Sequence, residues 1–319
     1  MKRISFWGSS VDAVPALMTL ASHHRILSVV TSPDKPCGRG CRLTPSPVKE
    51  AALSLGIPRV FTPERLDEEF RHHYLDEELD IGVVVSYGKM IPTSLLDHPR
   101  WGTLNLHFSL LPRWRGASPV ESAVLNGDAE TGVTVMRLVK ELDAGPLFCK
   151  RVLPLGKDDF AEELRISLAE IGAEETLSVV DRIENLSPVE QPREGITLCG
   201  KIGREEGLLS PLWTALQVHR RIRAFTPWPS VYTLFRGKRL QLTNSELLGE
   251  TERSDLPPSR VVGIDKRGIL LSCAEGTLLR ITQVKPECKK AMSARDFAQG
   301  ARLLCGEDWA SCLKVREEE

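Results

Sequence analysis

Three side chains in this 319-residue sequence can together move a proton and stabilise a developing oxyanion. Asn105 and His107 sit in Thr103-Leu104-Asn105-Leu106-His107-Phe108-Ser109, where polar and apolar residues alternate. A period of two reads as a strand, with Asn105, His107 and Ser109 on one face and Leu104, Leu106 and Phe108 on the other. An amide donor and an imidazole that titrates near neutrality lie side by side on that face. The third group is Asp143, in Leu142-Asp143-Ala144-Gly145, a turn-like spot from which a carboxylate can face the imidazole. Amide, imidazole and carboxylate are the parts of general acid–base and oxyanion chemistry. Spacing alone leaves equally open that His107 is a hydrogen-bonded core histidine and Asn105 a turn residue.

The elements that must position these groups read as α/β. Arg3 to Trp7 is a first strand ending in Gly8-Ser9-Ser10, Ala13 to Ala21 a helix, and Arg25 to Thr31 a second strand. Strand, turn and helix at the start of the chain indicate a Rossmann-like fold. Gly8-Ser9-Ser10 is not the G-x-G-x-x-G fingerprint, which counts against a nicotinamide enzyme. Ile81 to Val85 is wholly apolar, as a central parallel strand covered on both faces should be. Ligands of such sheets bind in the crevice at the carboxyl ends of the strands, where Asn105 and His107 fall. Ser46 is placed to cap a helix running to about Gly56, with Pro47 at its first position. Further helices are expected near Pro63 to His72, from Ser118 to Asn126 and from Phe160 to Glu184. Thr131 to Val139 and Leu147 to Leu153 read as a hairpin with Asp143 at its tip.

Composition is that of an ordinary globular chain, 41% hydrophobic and 27% charged. No run approaches the roughly 18 to 20 apolar residues of a membrane span. Met1-Lys2-Arg3-Ile4-Ser5-Phe6 enters a strand without a signal-like apolar region, so a cytoplasmic location is expected. The eight cysteines are scattered and read as reduced thiols. Cys37 and Cys41 alone have metal-like spacing, and with no second Cys or His pair nearby no metal is expected. Net charge is -1 but is unevenly divided. From Gly207 onward there are 18 Lys+Arg against 13 Asp+Glu, a balance of +5, leaving -6 for the remainder. That asymmetry points to a polyanion for the C-terminal part, or to a modestly basic solvated surface.

Glu190 to Arg204 reads as a linker, giving an expected division into 1–189, a linker at 190–206, and 207–319. Val218 to Phe225 reads as a helix stopped by Pro227 and Pro229. Tyr232 to Phe235, Arg239 to Thr243, Ser259 to Ile264, Ile269 to Ser272 and Leu278 to Val284 follow as short strands, the pattern of a small barrel, OB-like in kind. Between Ser32 and Lys49 lies a long connection with four prolines, carrying Lys35, Arg39, Arg42 and Lys49. Its length marks a functional loop.

Asn105-Leu-His107-Phe-Ser109-Leu-Leu-Pro112-Arg-Trp-Arg-Gly116-Ala117 resembles the signature of the folate-dependent formyltransferases, and Leu142-Asp143-Ala144-Gly145 resembles their second motif. The resemblance implies that Asn105, His107 and Asp143 are catalytic. It also implies that Ser109, Leu110, Leu111 and Pro112 line a site for 10-formyltetrahydrofolate. Tyr87-Gly88 is similar to the family's Ala-Tyr-Gly segment at the same pocket. Gly38-Arg39-Gly40-Cys41-Arg42-Leu43-Thr44-Pro45-Ser46-Pro47-Val48-Lys49 resembles the loop of the branch that formylates initiator methionyl-tRNA. That loop engages the tRNA acceptor end. Cys41 departs from the pattern, where Lys or Arg is common, so weakened contact is expected. Arg223-Ala-Phe225-Thr-Pro227-Trp228-Pro229 and Lys289-Lys290-Ala-Met292-Ser293 resemble the C-terminal domain of the same branch. Arg223, Lys289 and Lys290, with Lys35, Arg39, Arg42 and Lys49, are then the expected tRNA contacts. The implied reaction is formyl transfer from 10-formyltetrahydrofolate to initiator methionyl-tRNA by a monomer. The rivals are formylation of glycinamide ribonucleotide, of a sugar amine or of water, and an RNA-binding protein that has lost catalysis.

Overall fold

A computed structural model describes residues 1–37, 42–249 and 251–309, Cys37 by its backbone only. The chain divides into two compact units. The first comprises Met1–Val120, Ala129–Pro154 and Leu164–Gly200, the second Glu121–Asp128, Leu155–Glu163 and Lys201 onward.

The first unit begins with β1 (Arg3–Gly8), α1 (Val14–His23) and β2 (Arg25–Val30), as the apolar pattern requires. The connection after β2 contains a two-stranded hairpin, β3 (Lys35–Cys37) and β4 (Arg42–Thr44), which its prolines and charges conceal in the sequence. α2 (Pro47–Ser54) starts where the Ser46 side chain accepts from the Lys49 N–H at 3.0 Å. After β5 (Arg59–Phe61) comes α3 (Glu68–Leu75), further along than Pro63 suggested. The Asp67 side chain caps it by accepting from the Phe70 N–H, and Glu68 and Glu69 complement the helix dipole in its first turn. β6 (Ile81–Val85), α4 (Thr93–Leu96) and β7 (Thr103–His107) follow, then the short β8 (Arg115–Gly116); α5 (Pro119–Asn126) comes next in the chain and belongs from Glu121 to the second unit. β9 (Glu130–Arg137) and β10 (Leu147–Pro154) form the expected hairpin, α6 is the long helix Ala161–Arg182, and β11 (Leu198–Cys199) pairs with β8.

The main sheet has the order β10-β9-β7-β6-β1-β2-β5. The five strands from β7 to β5 run parallel, and β9 and β10 run antiparallel beyond them. β1 is followed by β2 on one side, and the chain returns to place β6 on the other. That reversal is a topological switch point, and the loops after β6 and β7 leave from the carboxyl ends beside it. The core under these ends gathers Trp7, Val30, Phe70, Tyr74, Leu79, Val84, Tyr87 and Leu95. Trp7 meets Phe70, Tyr74 and Tyr87 edge to face at 5.7, 5.2 and 5.2 Å, each pair worth about 0.5–1.5 kcal/mol beyond its buried area.

The second unit carries α7 (Ala215–Phe225), begun by a capping box between Thr214 and Gln217. The helix therefore starts earlier than the apolar pattern from Val218 indicates. β12 (Val231–Phe235), β13 (Lys238–Leu247), β14 (Val261–Ile264), β15 (Ile269–Ser272), β16 (Leu278–Pro286) and β17 (Met292–Ser293) precede α8 (Ala294–Ala301). All pairings are antiparallel in the order β12-β13-β16-β15-β14, with β17 on β16. β13 outruns its expected end at Thr243 because register shifts around Asn244 keep it paired to Leu247. The fold class is thus the expected one, a Rossmann-like α/β sheet followed by a small antiparallel barrel-like domain.

Candidate active site

His107 ends β7 and is 6% exposed. Its Nε2 lies 2.9 Å from the Trp114 carbonyl oxygen, which only accepts, so Nε2 carries the proton. Nδ1 then faces the Asp143 carboxylate, with Oδ2 at 3.8 Å, beyond a hydrogen bond and close enough for an ion pair once the ring is protonated. Asp143 is 8% exposed and its Oδ2 also accepts from the Gly116 N–H at 2.8 Å. Asn105, 9% exposed on the same strand, makes no side-chain hydrogen bond among the described residues. The amide, imidazole and carboxylate singled out in the sequence are all buried near the strand ends, two of them facing each other directly.

The backbone around them is held in unusual conformations. Trp114 has φ +60° and Asp143 φ +47°, left-handed geometry that a tryptophan in particular rarely adopts. Such strain persists only where the surroundings over-determine it. Gly116, at φ +122°, lies so close to the neighbouring strand that a Cβ would sit 2.0 Å from the Cys199 carbonyl oxygen. At Gly145 a Cβ would sit 1.9 Å from the Arg137 carbonyl oxygen. Glycine is required at both positions.

Of the residues expected at the folate pocket, Ser109 is 1% exposed, its hydroxyl donating to the Arg113 carbonyl at 2.6 Å and its carbonyl accepting from Thr134 Oγ1 at 2.6 Å. Leu111 is fully buried against Met136 and Leu147, so its side chain is core. Pro112 is buried and Leu110 half-buried. The Tyr87 ring belongs to the Trp7 cluster, and burial pushes its phenol up to about 12. Its hydroxyl has no hydrogen-bond partner among the described residues. Gly88, at φ +78°, opens on free space. What these segments offer a ligand is mainly backbone, with the Leu111 side chain given over to the core.

Of the expected tRNA contacts, Lys35 and Arg42 are exposed on the β3–β4 hairpin, while Lys49 pairs with Asp34 at 2.7 Å. Arg39 and Cys41 lie outside the described residues, as does the Cys37 side chain. Lys289 and Lys290 are exposed beside β16. Arg223 is the correction: it is 4% exposed, with Nη1 donating to the Asp159 carbonyl at 3.0 Å. Helical spacing puts it on the face of α7 shared with His219 and Ile222, so its charge is not presented to a phosphate. Burial also lowers its pKa.

Sequence reading missed the segment that secures the site. Trp114 N–H donates to Thr197 Oγ1 at 2.8 Å, Ala117 N–H to the Cys199 carbonyl at 3.1 Å, and Arg115 to the Gln191 side chain. Nothing in the polar, proline-containing stretch from Glu190 signals this, because the pairing is wholly tertiary. Among the described residues no group of three or more His, Cys, Asp or Glu is arranged to hold a metal ion.

Fold and site together define an α/β protein with its polar groups at the carboxyl ends of a parallel sheet. The formyl transferase family matches residues 4–180, and the formyl transferase C-terminal domain matches residues 201–302. The chain belongs to the formyl transferase family. It is 41% identical over 308 residues to a methionyl-tRNA formyltransferase of Methylococcus capsulatus, covering 95% of this chain and 98% of that one. A methionyl-tRNA formyltransferase of Thermus thermophilus is 40% identical over 306 residues, again 95% and 98%. Among solved structures, an N-formyltransferase of Helicobacter canadensis in complex with folinic acid and dTDP-3-aminofucose has the same fold. Its TM-score is 0.63 at 17% identity, over 88% of this chain and 99% of that one.

Proposed function

We propose that this protein transfers the formyl group of 10-formyltetrahydrofolate to the α-amino group of initiator methionyl-tRNA. Likeness at about 40% identity over nearly the whole length to proteins named for that reaction supports the acceptor. The observation that carries the chemistry is the His107–Asp143 pair with Nδ1 facing the carboxylate, beside an Asn105 amide with no side-chain hydrogen bond among the described residues. Met-tRNA and the folate are both substrates; no metal has a role in this reading. It assigns the protein to the cytoplasm, where aminoacylated tRNA is used, as a monomer. No helix among the described residues is long and apolar enough to cross a membrane.

In this reading His107 accepts a proton at Nδ1 from the substrate ammonium, freeing the amine to add to the formyl carbon. Asp143 stabilises the imidazolium so formed. Asn105 presents an N–H to the formyl oxygen as it gains charge, aided by the charged imidazole. His107 then returns its proton to the departing folate N10, while the second proton lost by the amine goes to solvent. One C–N bond forms and one breaks, with no formyl group on the protein. A pteridine is flat and rich in donors and acceptors, and the open space at Gly88, the half-buried Leu110 and the backbone of Ser109 to Pro112 suit it. The exposed Lys35 and Arg42 support acceptor-end binding by the β3–β4 hairpin, and Arg39 lies between them in sequence. Lys289 and Lys290 support a second, less specific grip by the C-terminal unit.

The test supplies 10-formyltetrahydrofolate with methionyl-tRNA, glycinamide ribonucleotide, an amino sugar nucleotide or water. Rapid formylation of methionyl-tRNA alone is expected. Preference for any other acceptor overturns the assignment.

A further inference from the structure

Gln191 lies outside every motif, yet its side chain is saturated with contacts. Oε1 accepts from Arg115 Nε at 3.1 Å and from Arg115 Nη2 at 2.7 Å. Nε2 donates to the Asp143 carbonyl at 2.8 Å and to the Gly145 carbonyl at 2.8 Å. Two N–H groups and two lone pairs are all a primary amide has, and all four are engaged. The orientation is unambiguous, since a flipped amide would aim its N–H groups at guanidinium donors and its oxygen at two carbonyls.

The two structures it ties together bear the proposed proton-transfer pair. Arg115 follows Trp114, whose carbonyl fixes His107 Nε2, and precedes Gly116, whose N–H holds the Asp143 carboxylate. The Asp143 and Gly145 carbonyls belong to the left-handed turn from which that carboxylate projects. The segment around Gln191 is itself anchored. Val189 exchanges two backbone hydrogen bonds with Leu147, and β11 pairs with β8 in register from Leu198 to Arg115.

We propose that Gln191 is a positioning residue for formyl transfer, setting the separation of the Asp143 carboxylate from His107 by clamping Asp143's strained backbone to Arg115. The proposal rests on the reaction assigned above. A residue of this kind touches no substrate; its loss lets the carboxylate drift, and a misplacement of about 1 Å costs on the order of 100-fold in rate.

The experiment measures kcat, KM for both substrates and the thermal midpoint for Gln191→Ala and Gln191→Glu, alone and with Asp143→Ala. Glutamate keeps the acceptor for Arg115 and removes both N–H donors, so it isolates the Asp143 side and serves should the alanine variant fold poorly. Either single variant is expected to lose about 10- to 100-fold in kcat, with both KM values changed by less than about threefold. In the Asp143→Ala background the further loss should be under about twofold, because residues acting as one unit are non-additive. Unchanged kcat in folded Gln191→Glu overturns the proposal, as does a loss that multiplies in full with Asp143→Ala. Inactive wild-type protein would instead defeat the functional assignment on which the proposal rests.

Discussion

Two buried histidines in this chain each lie near a carboxylate, and the proposed reaction uses only one of them. His107 is 6% exposed with an Asp143 oxygen 3.8 Å from Nδ1; His219 is 4% exposed with an Asp158 oxygen 3.9 Å from Nε2. Asp158 itself is almost wholly exposed, and the other nitrogen of His219 meets the Ser245 hydroxyl at 2.9 Å. Burial, reinforced by the neighbouring Arg223 charge, pushes His219 down to about 4, so it stays neutral and structural at pH 7. His107 instead faces a buried carboxylate on a left-handed turn, near an amide with no hydrogen-bond partner among the described residues. A histidine–carboxylate distance does not distinguish chemistry from packing. What sets His107 apart for the proposed reaction is the burial of its carboxylate, the strained backbone that aims it and a nearby amide with no hydrogen-bond partner among the described residues.

The sharpest break between the two regions should come from Asn105. Removing one oxyanion donor typically costs about 10²- to 10³-fold in rate. Asn105→Ala is therefore expected to lower kcat at least 100-fold while circular dichroism and the thermal midpoint stay near wild type. Retention of near-normal kcat would remove Asn105 from the chemistry.

A smaller effect separates the cations. Lys289→Ala and Lys290→Ala should each reduce the slope of log Kobs for tRNA against log salt by about 1, as loss of a phosphate contact does. Arg223→Ala should leave that slope unchanged and lower stability instead, since it leaves the Asp159 carbonyl without its buried donor. An altered salt slope in folded Arg223→Ala would restore Arg223 as an RNA contact.

The smallest effect is a pH dependence of folding set by His219. Its pKa is lower folded than unfolded, so between about pH 4 and 6.5 the unfolded chain binds the extra proton. Stability contributed by neutral His219 is thus present above pH 6.5 and lost as pH falls toward 4. Denaturant titrations across that range should show a shallower pH slope for His219→Gln than for the wild type. Equal slopes would mean that His219 is not held neutral by its surroundings.

Much of this was legible in the sequence because local physics and tertiary structure agree there. The alternation from Thr103 to Phe108, the apolar run from Ile81 to Val85 and the Ser46–Pro47 helix start all appear in the structure as they read. α3 lies later than expected because Asp67 supplies a better cap than the chain before it. Arg223 was misjudged although the signal was present. It lies four residues after His219 and next to Ile222, on the stripe that a helix of 3.6 residues per turn buries. The clamp through Gln191 and Thr197 carried no such signal. Its hydrogen bonds join residues 46 to 83 positions apart, which no local period encodes.

The most direct measurement is single-turnover transfer of labelled formyl from 10-formyltetrahydrofolate to methionyl-tRNA by folded His107→Ala and His219→Gln. His107→Ala should be slower by at least about 100-fold, and His219→Gln should stay within about threefold of wild type, with no formyl-protein trapped on quenching. Near-normal transfer by His107→Ala, or an equally deep loss in folded His219→Gln, would contradict the division of labour between the two histidines.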